Sequence, residues 1–235
     1  ANVTGTVNVM EAIRNYSPKA SFVYTASSSC YGKAKNFPTS ELDNVAPEYP
    51  YALTKFLGEE IVLHWSKVYG VKANSCRLFN VYGNYSRNSG SYGAMFGVFL
   101  GQILNDLPLT IVGDGSQTRD FTHVSDVVSA LTMVCRSSSS GEIFNVGSGT
   151  PVSVLKIAEL LNHNKHKFIP KRPGEPEITH ADIKKISSYT GWKPEISIET
   201  GVKSLKNNIH LFAEMPAWTE EKIANATKSW FKYLK

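Results

Sequence analysis

Residues 22–32 read FVYTASSSCYG and residues 49–60 read YPYALTKFLGEE. The first stretch opens with a short β-branched and aromatic run, the pattern of a buried strand, and closes on hydroxyls and a glycine. The second contains Pro50, which suits the first turn of a helix, and its helical pattern runs on to a stop at Gly70. A strand pattern resumes over 71–79. Strand, helix and strand in that order argue for a parallel sheet with helices on its faces.

The alternation extends both ways. Upstream, Val7, Val9, Met10 and Ile13 are spaced for a helix over 3–15 with one buried face. Downstream, a Gly/Ser/Asn-rich stretch at 80–93 has the length of a functional loop. Helices are expected over 94–105, 124–135 and 151–162, and strands at 109–112 and 143–146. From about Gly147 prolines mix with short periodic segments, as in a smaller, less regular subdomain. The last stretch, 216–235, reads as a helix whose apolar residues, Trp218 and Trp230 among them, serve packing.

Tyr51 and Lys55 lie four apart, so a helix puts both on one face, one turn apart. An ammonium beside a phenol favours the phenolate, which can take a proton from an alcohol as hydride leaves its carbon. Tyr-x-x-x-Lys also occurs at Tyr31/Lys35 and Tyr189/Lys193, but glycines interrupt or adjoin both, so only the middle pair has helical geometry. Ser27, Ser28 and Ser29 follow the first strand, at the carboxyl end where parallel sheets bind ligands.

These stretches, with CRLFNVYG (76–83), VGDGSQTRDFTHVSD (112–126), FNVGSG (144–149), KRPGEPEITHADIKK (171–185) and TGWKP (190–194), resemble the extended short-chain dehydrogenase/reductases, the NAD-dependent epimerase/dehydratase family. Within it the UDP-glucose and UDP-N-acetylglucosamine 4-epimerases are most similar. The resemblance implies a partial Rossmann-like, doubly wound parallel sheet with a smaller C-terminal α/β substrate subdomain. Residues 1–146 would be the C-terminal part of the dinucleotide-binding domain, with 80–120 contributing to the substrate site. Residues 147–235 would be mainly substrate-binding.

It also implies roles. Tyr51 is the acid/base, Lys55 binds the nicotinamide ribose of NAD and tunes Tyr51, and Ser27 is the catalytic hydroxyl. Phe79 lies near the nicotinamide and Asn80 near the nucleotide phosphates. Arg119 and Arg172 clamp the diphosphate, since guanidinium forks match paired phosphate oxygens. Glu175 accepts hydrogen bonds from the ribose, Ile111 and Val112 border the uracil, and Thr179 leaves room for an N-acetyl group. Arg119 beside Asp120 could instead form a plain ion pair. The expected partners are a UDP-sugar and a second copy, paired through the helix carrying Tyr51, where Leu57, Ile61, Val62 and Trp65 could supply apolar surface or face the sheet.

The glycine-rich turn that opens the family and cradles the NAD pyrophosphate has no counterpart here. The expectation is that roughly 80 to 100 residues, about half of a doubly wound sheet, are missing, and that the chain as written holds NAD poorly. Ser28 and Ser29 stand where the family's dehydratases carry an Asp-Glu pair and its decarboxylases a Glu. Two serines supply neither acid nor base for eliminating water. This favours 4-epimerisation through a transient 4-keto sugar. The alternatives are a uronate 4-epimerase, a dehydratase, a decarboxylase or a non-catalytic relative that binds cofactor.

Composition fits this. The net charge of +5, from 25 basic and 20 acidic residues, comes without an arginine-rich block, so no nucleic-acid partner is expected. No apolar run is long enough to suggest a membrane span. Cys30, Cys76 and Cys135 have neither metal nor disulfide spacing, and the six histidines share no pattern, so no metal is expected and a reducing, cytoplasmic setting is.

Overall fold

The computed structural model describes residues 1–86, 95–214 and 218–234. Residues 87–94, within the expected 80–93 loop and at the start of the expected 94–105 helix, lie outside that set, as do 216, 217 and 235 of the expected last helix.

Helix α1 (Thr4–Tyr16) leads into strand β1 (Phe22–Ser27), and helix α2 (Pro50–Tyr69) into strand β2 (Ala73–Leu78). Pro50 occupies the first turn of α2, and Gly70 ends it in the left-handed region, donating its N–H to Ser66 O. The short β3 (Val81–Tyr82) precedes α3 (Met95–Leu104), β4 (Leu109–Val112), β5 (Thr118–Arg119) and β6 (Thr122–His123). Helix α4 (Val124–Arg136), strands β7 (Ile143–Val146) and β8 (Val152–Ser153), helix α5 (Val154–Leu161) and strand β9 (His166–Ile169) follow. The chain then forms helices α6 (Lys184–Thr190), α7 (Ile198–Asn207) and α8 (Glu220–Tyr233).

The central sheet has the order β1-β2-β7 and is wholly parallel, with Phe22 opposite Ala73 and Ser75 opposite Ile143. Both faces are covered. On one, Met10 of α1 and Val62 of α2 pack with Tyr24, Val71 and Ala73. On the other, Val127, Ala130 and Val134 of α4 and Ile186 of α6 pack with Cys76, Phe144, Val146 and Trp192. Two-sided covering explains why five of the six residues of β2 are buried, as in the middle of a parallel sheet.

A second apolar cluster gathers Phe96, Phe99 and Leu100 of α3, Leu109 and Ile111 of β4, Ile157 and Leu161 of α5, and Leu205 of α7. Beside it β4 pairs in parallel with β9. The helix expected over 151–162 is shorter than its pattern suggested. Val152 and Ser153 pair with β5 instead, and the Ser153 side chain caps α5 by accepting from Lys156 N.

At one point α2 meets β1 through a bare Cα. A Cβ at Gly58 would collide with the hydroxyl of Tyr24. The same hydroxyl donates to Lys55 O at 3.3 Å, so the helix carrying the Tyr51/Lys55 pair lies hard against the strand.

Candidate active site

A cleft of about 660 Å³ opens where β1 and β2 end. Its wall includes Ser27, Tyr51, Lys55 and Phe79 at one end and Asn80, Val112, Arg119, Arg172, Glu175 and Thr179 toward the other, with Asn80 bonded to Thr179. Ten of the eleven residues predicted from sequence thus share one cavity. The eleventh, Ile111, is fully buried among the apolar side chains of α3, α5 and β4. Side chains alternate along a strand, so Thr110 and Val112 face the cleft while Ile111 faces the core.

Tyr51 and Lys55 occupy the first turns of α2, and of the three Tyr-x-x-x-Lys pairs only this one lies within a single helix. Tyr31 instead ends a short 3-10 turn, and its buried hydroxyl donates to Asn145 Oδ1 at 2.7 Å. Lys55 Nζ donates to Thr25 O at 2.6 Å and lies 5.0 Å from the centre of the Tyr24 ring. Partial burial lowers its pKa from the ordinary lysine value. Ser27 caps the 3-10 turn: its Oγ accepts from Ser29 N at 3.3 Å and from Ser29 Oγ at 2.9 Å. With those bonds accepted, the Ser27 O–H keeps its capacity to donate. Phe79 is almost wholly buried against Tyr31, at a ring separation of 6.3 Å, and leaves little surface on the wall. Neighbouring Cys30 is buried, and burial pushes its thiol up to about 12, away from the thiolate form.

At the far end, Glu175 joins the two arginines. Arg172 Nη1 donates to Glu175 Oε1 at 3.0 Å, and Arg119 Nη2 lies 3.8 Å from Glu175 Oε2. Arg119 Nη1 also donates to Thr118 O at 2.9 Å. Arg119 forms no ion pair with Asp120. The buried Asp120 carboxylate accepts from Ser148 N, Ser148 Oγ, Gly149 N and Ala181 N at 2.6–3.1 Å, which leaves the Arg119 guanidinium on the cleft side. Thr179 Oγ1 accepts from Asp120 N at 3.0 Å and donates to Asn80 Oδ1 at 2.9 Å. That fixes the Asn80 oxygen on Thr179 and leaves its NH₂ to face away.

Sequence reasoning missed Thr25, Tyr49, Gln117 and Trp230 on the cleft wall. Tyr49 could have been suspected, since it lies two residues before Tyr51 at the helix cap. Trp230, assigned to packing, gave no local signal, because nothing in 218–234 says which surface α8 meets.

The NAD dependent epimerase/dehydratase family model matches residues 1–147. The chain belongs to that family. As a member of it, the chain is 34% identical over 211 residues to a putative UDP-glucose 4-epimerase of Methanocaldococcus jannaschii, covering 88% of this chain and 68% of that protein. A crystal structure of UDP-glucuronic acid 4-epimerase from Bacillus cereus, in complex with UDP-glucuronic acid and NAD, superposes with a TM-score of 0.80 at 30% identity, covering 89% of this chain and 67% of that one. UDP-N-acetylglucosamine 4-epimerase from Methanobrevibacter ruminantium M1 superposes with a TM-score of 0.82 at 26% identity, over 92% and 69%. The chain spans 51% to 68% of the length of the curated relatives it matches.

The donor set at the sheet end of the cleft fits the nicotinamide riboside portion of NAD. Lys55 keeps N–H groups beyond the one given to Thr25 O, and Phe79 offers an apolar border. Among the described residues no group of three or more His, Cys, Asp or Glu is placed to hold a metal ion. Nor is any described helix long and apolar enough to cross a membrane.

Proposed function

We propose that this family member interconverts UDP-hexoses, including UDP-N-acetylhexosamines, at C4 through a transient 4-keto sugar. The observation that carries the reading is the single cleft joining Ser27, Tyr51 and Lys55 to Arg119, Arg172 and Asn80. The first group suits an alcohol that must lose a proton. The second suits a diphosphate, and the buried, unpartnered Arg172 Nε is a donor left for such a ligand.

NAD, when bound, supplies the acceptor for the C4 hydride and returns it. Tyr51 would take the proton of O4 as the C4 alcohol becomes the ketone and give it back as the ketone becomes the inverted alcohol. Lys55 holds positive charge one helical turn from the phenol. Ser27 donates its O–H to the sugar oxygen on which charge changes. Arg119 and Arg172 grip the diphosphate while the flat keto sugar turns about it. Ser28 and Ser29 provide no carboxylate to abstract a C5 proton, so the keto sugar is not diverted to loss of water.

Thr179 supports tolerance of the N-acetyl group, because it is small and its hydroxyl is already bonded to Asn80. Thr179→Tyr is expected to suppress turnover of UDP-N-acetylhexosamine more than of UDP-hexose. Unchanged relative rates would end that assignment. Exposed Val9, Leu53 and Leu57 on α1 and α2 support a homodimer through this face, with Val62 excluded because it is fully buried in the core. Three free cysteines suit a cytoplasmic setting.

The test is to incubate the whole protein with UDP-glucose, UDP-glucuronate and UDP-N-acetylglucosamine and follow products by NMR. Inversion of UDP-glucose or UDP-N-acetylglucosamine at C4 is expected, whereas inversion of UDP-glucuronate alone would replace this reading with a uronate 4-epimerase. Loss of water or carbon dioxide, or no reaction with any of the three, would overturn the reading.

A further inference from the structure

Helix α8 is tied down at several points. Thr219 caps it, with its side chain accepting from Lys222 N, and the preceding Trp218 O accepts from buried Gln102 Nε2 at 2.9 Å. Ile223 and Thr227 are buried on its inner face. Trp230 follows at seven and three residues from them, on the same face. Leu234 closes over the loop carrying Arg172 and Glu175, where a Cβ on Gly174 would touch Leu234 Cδ1 at 3.5 Å.

This anchoring delivers the Trp230 ring to the cleft wall. Its centre lies 6.0 Å from that of Tyr49, and Tyr49 lies 6.5 Å from Tyr51 with the rings 11° from parallel. Three aromatic rings therefore run from the last helix to the predicted acid/base. Such a wall suits a ligand that must turn over. Hydrogen bonds to a hexose are directional and oppose rotation, whereas an aromatic face gives dispersion contact to either side of the ring.

We propose that Trp230, with Tyr49, forms the hexose-facing wall of the cleft and retains the 4-keto sugar between the two hydride transfers. This rests on the epimerase reading. Both are binding residues for the sugar and not for the nucleotide.

The test uses the whole protein carrying Trp230→Ala, Trp230→Phe or Tyr49→Ala. Calorimetry on UDP and on UDP-hexose separates the two ends of the ligand. Trp230→Ala is expected to leave the UDP affinity within about twofold and weaken UDP-hexose roughly five- to tenfold. Escape of the keto sugar should leave enzyme in its reduced form, so the near-ultraviolet absorbance of reduced nicotinamide should build up over many turnovers. Trp230→Phe, which keeps an aromatic face, should stay close to wild type and guards against a folding defect, and Tyr49→Ala should show the same sugar-selective loss. Equal weakening of UDP and UDP-hexose by Trp230→Ala, or no change in either affinity, would overturn the proposal. If wild-type protein fails to invert any UDP-hexose, the epimerase reading falls, and the contrast between UDP and UDP-hexose still decides the role of Trp230 in binding.

Discussion

Glu59 and Arg77 form an ion pair at 2.6 Å whose side chains are only 1% and 3% exposed. Glu59 lies on α2 one turn beyond Lys55, and Arg77 on β2. Arg77 Nε bonds the same carboxylate, Ser75 Oγ donates to Glu59 Oε2 at 2.7 Å, and the guanidinium lies over the Tyr31 ring at 4.8 Å. Two charges taken out of water gain little net stability, but their mutual geometry fixes how α2 sits on the sheet.

Removing one partner strands the other. Arg77→Leu or Glu59→Leu should each cost about 3–5 kcal/mol, while the double variant recovers most of the loss. Denaturant unfolding of the four proteins measures the coupling. A double variant whose loss equals the sum of the singles would show that the two residues do not act as a unit.

Tyr51→Phe keeps the ring and its stacking on Tyr49 and removes the hydroxyl. Turnover should fall by roughly 10²- to 10⁴-fold, the usual worth of general acid–base catalysis. UDP affinity, measured by calorimetry, should stay within about twofold. Retained epimerase activity would remove Tyr51 from its proposed role.

Desolvation lowers the Lys55 pKa, so the ammonium is lost at a lower pH than in an exposed lysine. The alkaline limb of kcat/KM should therefore begin below the ordinary lysine range. Lys55→Arg, which stays charged, should move whatever activity remains to higher pH. The unfolded chain holds this proton more tightly than the folded one. Its contribution to stability thus rises with pH between the depressed value and the ordinary one. A limb that Lys55→Arg leaves in place belongs to another group.

Thr179→Val preserves shape but deletes the hydroxyl that links Asp120 N to Asn80 Oδ1. Freed of its partner, the Asn80 amide can rotate, and UDP binding should weaken by about 1–2 kcal/mol. An unaltered Kd for UDP would mean that Asn80 is oriented by something else.

The parallel sheet was legible because periodicity and capping agree there: a β-branched strand, Pro50 at the start of α2 and Gly70 at its end. That Ser27, Tyr51 and Lys55 would meet at the sheet end of the cleft was legible for the same reason, since Tyr51 and Lys55 have fixed helical spacing and Ser27 a strand end. What stayed hidden depends on contacts between distant segments. Ile111 and Val112 look alike in sequence, and only the facing of β4 sends one to the core and the other to the cleft. Asp120 beside Arg119 suggested an ion pair, but four donors from 148–181 claim the carboxylate. The contact of Trp230 with Tyr49 spans 181 positions, and no local pattern encodes it.

Gly58 has a consequence for how the chamber holds its dimensions. Where helix and strand touch through a side chain, a change of rotamer can move them apart. Here the spacer is a hydrogen on Cα, with the Tyr24 hydroxyl resting against it. The height of Tyr51 and Lys55 above the end of β1 is therefore a fixed backbone dimension. Any side chain larger than hydrogen at this position would raise the ceiling over the sheet end of the cleft.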